Sequence, residues 1–313
     1  MLFSLAASRH KFIKMVYVST YVCYGLIGSN LIYLFELIMI KSTRISRNNY
    51  KFNVNSTDYE KFWEQFSNES WEKNTTDIFD RFIDKNTIYI DIGAWIGPTL
   101  FYAAQLAAKS IAIEADPIAF ERLNENLSMN SKEKWYANIS LINKVVSRKS
   151  GNIKFGSQSN GGDSMSSLLW AGQNTTWEVE AITPEEILSR PDLKSNKVFI
   201  KIDIEGGEFT MLDELKEIFA KKNAVIFLSL HNKFLKRSLV HKYKSDNYWS
   251  RWFNIRRDFV LTYRKFFDVL PYDKNITIGG KLFKANKLIY FYMFLFCKPP
   301  REKKFRELLI KDF

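Results

Sequence analysis

The run TIYIDIGAWIGPTLFYAAQ, residues 87–105, constrains this chain more than any other stretch. An apolar segment ends at an acid, passes two glycines and continues with helical spacing. A segment apolar throughout rather than alternating suits a strand buried on both faces, as in a parallel sheet. Gly93 can take backbone angles closed to other residues and lets the chain pass close to a ligand, while Gly97 opens a helix whose free N–H groups favour electronegative atoms.

The alternation continues along the chain. The spacing predicts strand 88–92, helix 97–108, strand 110–115, helix 117–130 and strand 139–146, then strand 197–203, helix 207–220 and strand 224–230. Such a succession gives an α/β fold with a doubly wound, mostly parallel sheet. An insertion separates the two blocks, with GNIKFG and WEVEAIT as extended pieces around the Gly/Ser-rich SQSNGGDSMSS. Ahead of the first strand, Phe62, Phe66 and Trp71, then Ile78, Phe79, Phe82 and Ile83, recur at helical spacing and read as core. Residues 41–56 are polar and read as a linker, so the domain is expected over residues 57–298. Beyond His231 a basic, aromatic helical region leads to two closing strands, FFDVL and IYFYMFLFC, and residues 299–313 form a basic tail.

A chain of 313 residues builds a sizeable core without disulfide staples, and its two cysteines, Cys23 and Cys297, read as packing residues. The net charge of +12 is unevenly spread: residues 1–51 carry seven basic and one acidic residue, 52–235 carry twenty and twenty-six, and 236–313 carry nineteen and seven. An acidic centre with basic ends suits a negatively charged membrane surface better than a duplex, so no nucleic-acid partner is expected. Residues 15–40 contain one charge, Glu36, in twenty-six positions. That exceeds the ~20 needed to cross a bilayer, and residues 1–50 are read as an N-terminal hydrophobic helix, a membrane anchor, an interfacial helix or a tail packed on the domain, with a basic linker.

Residues leaving the carboxyl ends of parallel strands are the ones to read for chemistry. Asp91, Gly93 and Gly97 leave the first strand; Glu114 ends the next, twenty-three residues after Asp91, and Pro117 starts the helix behind it. An acid at that distance suits the paired hydroxyls of a ribose, so the group reads as a nucleoside site. A nicotinamide dinucleotide site normally carries GxGxxG, whereas DIGAWIG places Trp95 and Ile96 in the middle of the loop. An adenosyl cofactor without phosphates asks less of that loop.

Taken together, YIDIGAWIGPT, AIEADP, VVSRKSG and IKIDIEGGE, in this order, resemble the glycine, ribose, adenine-side and signature motifs of the FkbM family of methyltransferases over roughly residues 75–298. The resemblance implies a class I, Rossmann-like, seven-stranded mixed sheet with S-adenosylmethionine as cofactor. It implies cofactor contacts from Asp91, Gly93, Ala94, Trp95, Gly97 and Thr99, from Glu114, Ala115, Asp116 and Pro117, and from Val146 and Asp203. Trp95 stands where the family commonly has asparagine. Implied too is O-methylation of a hydroxyl on a sugar, glycolipid or other small molecule, with a small-molecule or glycan acceptor. Asp203 ranks first for catalysis, as base, substrate orienter or cofactor contact, joined by Glu205 and by His231, which ends the following strand and can titrate near neutral pH. Glu205 and Glu208 could instead cap a helix or pair with Lys201. No spacing demands a metal and none is expected, although Asp203 with another carboxylate could hold magnesium. The cofactor is made in the cytosol, so the catalytic face is expected there, membrane-associated or soluble. An NAD(P)-dependent oxidoreductase and a non-catalytic nucleoside-binding module are the alternatives.

Overall fold

The structure, a computed structural model, describes residues 41–157, 161–162, 175–194, 196–271, 273–278, 280–283, 287–299 and 306–312. Strands β1 (Ser42–Arg47) and β2 (Tyr50–Asn55) form an antiparallel hairpin where the sequence reads as a linker. Its alternate residues Ile45, Phe52 and Val54 are buried, and Arg47 follows them inward with its guanidinium 4.5 Å from the Phe66 ring. Helices α1 (Glu60–Ser67) and α2 (Lys73–Phe82) pack Trp63, Phe66, Phe79 and Phe82 beneath the hairpin.

The alternating block follows as β3 (Thr87–Ile92), α3 (Pro98–Leu106), β4 (Lys109–Ile113), α4 (Pro117–Ser128) and β5 (Ile139–Ile142). The expected strand 139–146 is broken: β6 (Val145–Val146) leaves the main sheet and joins β7 (Gly151–Ser157) and β8 (Thr175–Ile182) in a separate one. After α5 (Pro184–Leu188) come β9 (Lys197–Ile202), a 3-10 turn at Gly207–Phe209, α6 (Leu212–Phe219), β10 (Ala224–Ser229), α7 (Asn232–Lys242) and α8 (Tyr248–Asp268). The chain closes with β11 (Asn275–Ile278), β12 (Lys281–Leu282), α9 (Lys287–Phe296) and β13 (Glu307–Lys311).

Among the described residues the main sheet runs β12-β11-β13-β10-β9-β3-β4-β5. It is the expected seven-stranded, mostly parallel α/β sheet, extended at one edge by the two-residue β12. β13 runs antiparallel to both β10 and β11. Alternation along β3 sends Ile88, Ile90 and Ile92 into the core under α6 and α8, and Tyr89 into the core under α1 to α4. The sheet is thus covered on both faces, and only its strand ends are open to ligands.

The carboxy-terminal third differs from the sequence reading. FFDVL belongs to the end of α8 and the residues after it, and IYFYMFLF lies within helix α9 rather than a strand. Both are runs of large apolar residues whose length does not separate strand from helix. The closing strand is ELLIK of the expected tail, where Leu308 and Ile310 alternate into the core. No helix among the described residues is long and apolar enough to cross a membrane, and the run 15–40 read as an anchor lies outside them.

Candidate active site

The order of the parallel strands reverses between β3 and β9, so the crevice beyond their carboxyl ends is where an α/β sheet places a ligand. Backbone bonds tie the loops together there: Gly93 N donates to Ile113 O at 2.9 Å, and Asp203 N donates to Ile92 O at 2.9 Å. Gly93 has φ +85, and a Cβ there would stand 1.9 Å from the Asp203 carbonyl oxygen. The glycine is thus required by the neighbouring strand end. Gly97 likewise lies against the Phe101 ring and Leu123, within the core.

Under the floor, Asp91 and Lys201 are register partners on β3 and β9 and are both buried. Lys201 Nζ lies 3.3 Å from Asp91 Oδ1 and 3.2 Å from Asp203 Oδ2. The hydroxyls of Tyr89 and Thr99 each donate to Asp91 Oδ2 at 2.9 Å. Burial raises the Asp91 pKa, against the pull of Lys201 and the two hydroxyls. Burial alone would lower the Lys201 pKa, but Asp203, Asp91 and Glu72 hold it above the ordinary value. Asp91 therefore lies behind the cavity wall, as an internal counter-ion.

Glu114 stands at the wall. Its Oε2 accepts from Trp95 N at 2.7 Å and its Oε1 from Asp116 N at 2.8 Å, and burial pushes its pKa up to about 7 despite those two donors. A carboxylate has about four lone-pair sites, so both oxygens keep a further acceptor position. Asp116 turns away: its Oδ1 caps α4 at Ile118 N and Ala119 N, and its Oδ2 accepts from Gly162 N at 2.8 Å.

Across the crevice, Glu205 (φ +50) and Gly206 (φ +93) fold the chain sharply after β9. His231 lies between carboxylates: Nε2 is 3.3 Å from Asp203 Oδ1 and 3.4 Å from Glu205 Oε2, and Nδ1 is 3.1 Å from Glu208 Oε1. Glu208 also accepts from Gly206 N at 2.8 Å, so it fixes both the turn and the ring. Burial would lower the His231 pKa, but Glu208, Asp203 and Glu205 raise it to about 10. Those three carboxylates favour the protonated imidazole, a state in which it donates to them rather than accepts a proton. Burial pushes Glu205 up to about 8, against His231 and with Asp203 and Glu208. Burial would raise Asp203 too, yet Lys201 and His231 hold it below its ordinary value. Neither Glu205 nor Glu208 pairs with Lys201; their partner is His231. Asp203, Glu205 and His231 offer atoms within 4.8 Å of one another, a set that could hold a metal ion.

These groups open on one cavity of about 190 Å³. Its walls include Gly93, Ala94, Trp95, Thr99, Glu114, Ala115, Val146, Asp203, Glu205 and His231 of the sequence-derived set, whereas Asp91, Gly97, Asp116 and Pro117 support it from behind. Reading the sequence missed Phe62, Trp71, Glu72, Lys144, Phe155 and Lys201, which also line it. Phe62 and Trp71, expected as core, form an aromatic wall: Phe62 meets Trp71 at 5.1 Å and Trp95 at 4.7 Å between ring centroids. Glu72 enters from a left-handed residue (φ +42) before α2, its pKa pushed up to about 7 by burial and then by Asp203. An aromatic-rich helix pair just upstream of the first strand was the available signal. The Gly/Ser-rich SQSNGGDSMSS of the insertion lies outside the described residues except for Ser157, Gly161 and Gly162. Gly162 O accepts from Trp95 Nε1 at 2.9 Å and Tyr59 OH at 2.8 Å.

Fold and crevice together define a Rossmann-like protein of the class I methyltransferase type. A family model for the methyltransferase FkbM domain matches residues 91–248, half of the chain. The chain belongs to the FkbM methyltransferase family. Among solved structures it is similar to a methyltransferase FkbM from Methylobacillus flagellatus, with 13% identity and a TM-score of 0.38 over 71% of this chain and 43% of that one. It is also similar to an rRNA methylase from Streptococcus thermophilus, with 14% identity and a TM-score of 0.34 over 75% of this chain and 90% of that one. Likenesses at this level carry nothing about activity, and the chain spans less than half of the first relative's length. No curated protein matches the sequence.

Proposed function

We propose that this chain is an S-adenosylmethionine-dependent O-methyltransferase acting on a hydroxyl of a sugar, a glycolipid or another small molecule. The observation that supports the reading is a single cavity at the sheet's switch point with an acidic side, Glu114, Asp203 and Glu205, facing an aromatic side, Phe62, Trp71 and Trp95. The residues present fit the cofactor: Glu114 has acceptor sites left for a ribose diol, Ile113, Val145 and Val146 offer an apolar slot, and the carboxylates favour a cation. When bound, the cofactor supplies an electrophilic methyl group on a sulfonium centre.

The chain's own part is to bind, align and deprotonate. Aromatic rings are suited to the apolar face of a sugar, and neighbouring carboxylates to its hydroxyls. Holding reactants in near-attack geometry is worth ~7–11 kcal/mol. A hydroxyl also needs a proton acceptor, which contributes ~10²–10⁴-fold. Glu205, which burial pushes up to about 8, is the proposed base in its deprotonated form, since Asp203 is held by both Lys201 and His231 whereas Glu205 meets His231 alone. Glu208 and His231 position that carboxylate. Acceptors from Glu72 and the Phe62–Trp71 wall orient the substrate. Membrane association through residues 15–40, the absence of a nucleic-acid partner and a cytosolic catalytic face belong to the same proposal. The test is incubation with methyl-labelled S-adenosylmethionine and an extract of cell glycans and lipids, followed by mass spectrometry. Label on a hydroxyl oxygen supports the reading; label on nitrogen or carbon alone, or none with any fraction, refutes it.

A further inference from the structure

Of the ten large apolar side chains that stand exposed among the described residues, nine lie between Tyr248 and Phe296. They belong to α8, to α9 and to the β12 edge leading into α9. After Lys287 every residue of α9 is apolar, yet Met293 alone among them is buried. Leu288, Phe291 and Leu295, at helical spacing, are 77%, 63% and 44% exposed. Helix α8 lies antiparallel against α9: Phe267 near its end meets Tyr290 at 5.9 Å, while Phe253 near its start meets Phe294 at 5.9 Å. Tyr248 and Trp249, 72% and 75% exposed, therefore stand at the same end of the helix pair as Leu295 and Phe296.

A helix apolar on all sides belongs in a protein interior or against lipid. At ~1.5 Å per residue α9 is ~15 Å long, half of a ~30 Å hydrocarbon core, so contact with lipid would be in the plane of the surface. Its surroundings set the charge of the partner. Exposed Lys281, Lys287 and Lys298 bracket α9, exposed Arg264 stands on α8, and residues 236–313 carry nineteen basic against seven acidic residues. Two copies meeting face to face would bring those cations together. An anionic surface is complemented by them, and tryptophan and tyrosine at the rim suit the headgroup region.

We propose that the α8–α9 face docks on the surface of a bilayer containing anionic lipid, with Leu288, Phe291, Leu295 and Trp249 entering the headgroup boundary and the lysines meeting lipid headgroups. The docking does not depend on the methyl-transfer reading, and a failed transfer assay leaves it standing.

The full chain is mixed with phosphatidylcholine vesicles with and without phosphatidylserine, and binding is followed by co-sedimentation and by quenching with brominated lipid. Because residues 15–40 can bind lipid on their own, the readout is the difference between variants of the same chain. Lys281→Gln, Lys287→Gln and Lys298→Gln, all on exposed side chains, are expected to weaken the phosphatidylserine-dependent binding about fivefold each, roughly 100-fold together. Leu288→Ser with Phe291→Ser and Leu295→Ser is expected to abolish the part of the quenching that disappears in Trp249→Phe. Three results would overturn the proposal: unchanged affinity in the lysine variant, Trp249 unquenched in vesicle-bound wild type, or light scattering showing a dimer that the serine variant dissolves.

Discussion

Replacing Lys201 by Met keeps much of the side-chain volume and removes the ammonium that touches both Asp91 and Asp203. Asp91 has no exposed surface, and its remaining partners would be the Tyr89 and Thr99 hydroxyls. Removing one member of a buried ion pair costs ~3–5 kcal/mol, and with two hydroxyls still in place about 3 kcal/mol is expected at pH 8. The loss depends on pH in a fixed direction. Lys201 has a raised folded pKa, so its contribution is fully present below the unfolded value of about 10.4 and does not vary between pH 5 and pH 8. Asp91 already has a raised pKa from burial, and losing Lys201 raises it further. A carboxyl with a raised folded pKa withdraws stability as pH climbs from its unfolded value, about 3.9, through its folded one. The deficit of Lys201→Met should therefore be smaller at pH 5 than at pH 8, and Asp91→Asn in the same chain should recover much of it. Urea unfolding of the single and double variants at both pH values measures this. A deficit under ~1 kcal/mol, or one equal at the two pH values, would refute the buried counter-ion reading.

Glu205→Gln should lower kcat by ~10²–10⁴-fold with cofactor affinity kept, and should remove a rise of activity with pH through about 8; a variant retaining that rise has its base elsewhere. Gly93→Ala places a Cβ against the Asp203 carbonyl in a left-handed conformation, so it should unfold at markedly lower temperature than Gly151→Ala, which shares a positive φ but meets nothing within 4 Å. Equal melting temperatures would contradict the close approach of β3 and β9. Asp116→Ala should cost ~0.5–2 kcal/mol through the lost α4 cap, read by denaturant titration, and a neutral result would mean the cap adds nothing.

The parallel strands were legible because each is a short apolar run ending at a turn or an acid, and those ends are where Glu114, Asp203 and His231 project into the cavity. The hairpin β1–β2 was not, because its inward residues are diluted by Ser, Asn and Arg, and Arg47 is buried only by virtue of the Phe66 ring and the carbonyls it meets. Helix α9 was misread because aromatic and branched residues favour strands in short runs, while its partner α8 decides the matter through packing. In the site, spacing found the acids but not their states. That Asp91 is a counter-ion, that three carboxylates surround His231 and that Glu72 and Trp71 close the crevice depend on contacts between elements far apart in sequence.

The central claim is that the crevice bounded by Glu114 holds an adenosyl cofactor. Isothermal titration of S-adenosylhomocysteine into the wild type and Glu114→Ala tests it most directly. The account predicts one ligand per chain, bound at least ~10-fold more weakly by the variant, the loss expected for hydrogen bonds to a charged acceptor. No heat with the wild type, equal affinity in the variant, or binding of NADH in its place would contradict it.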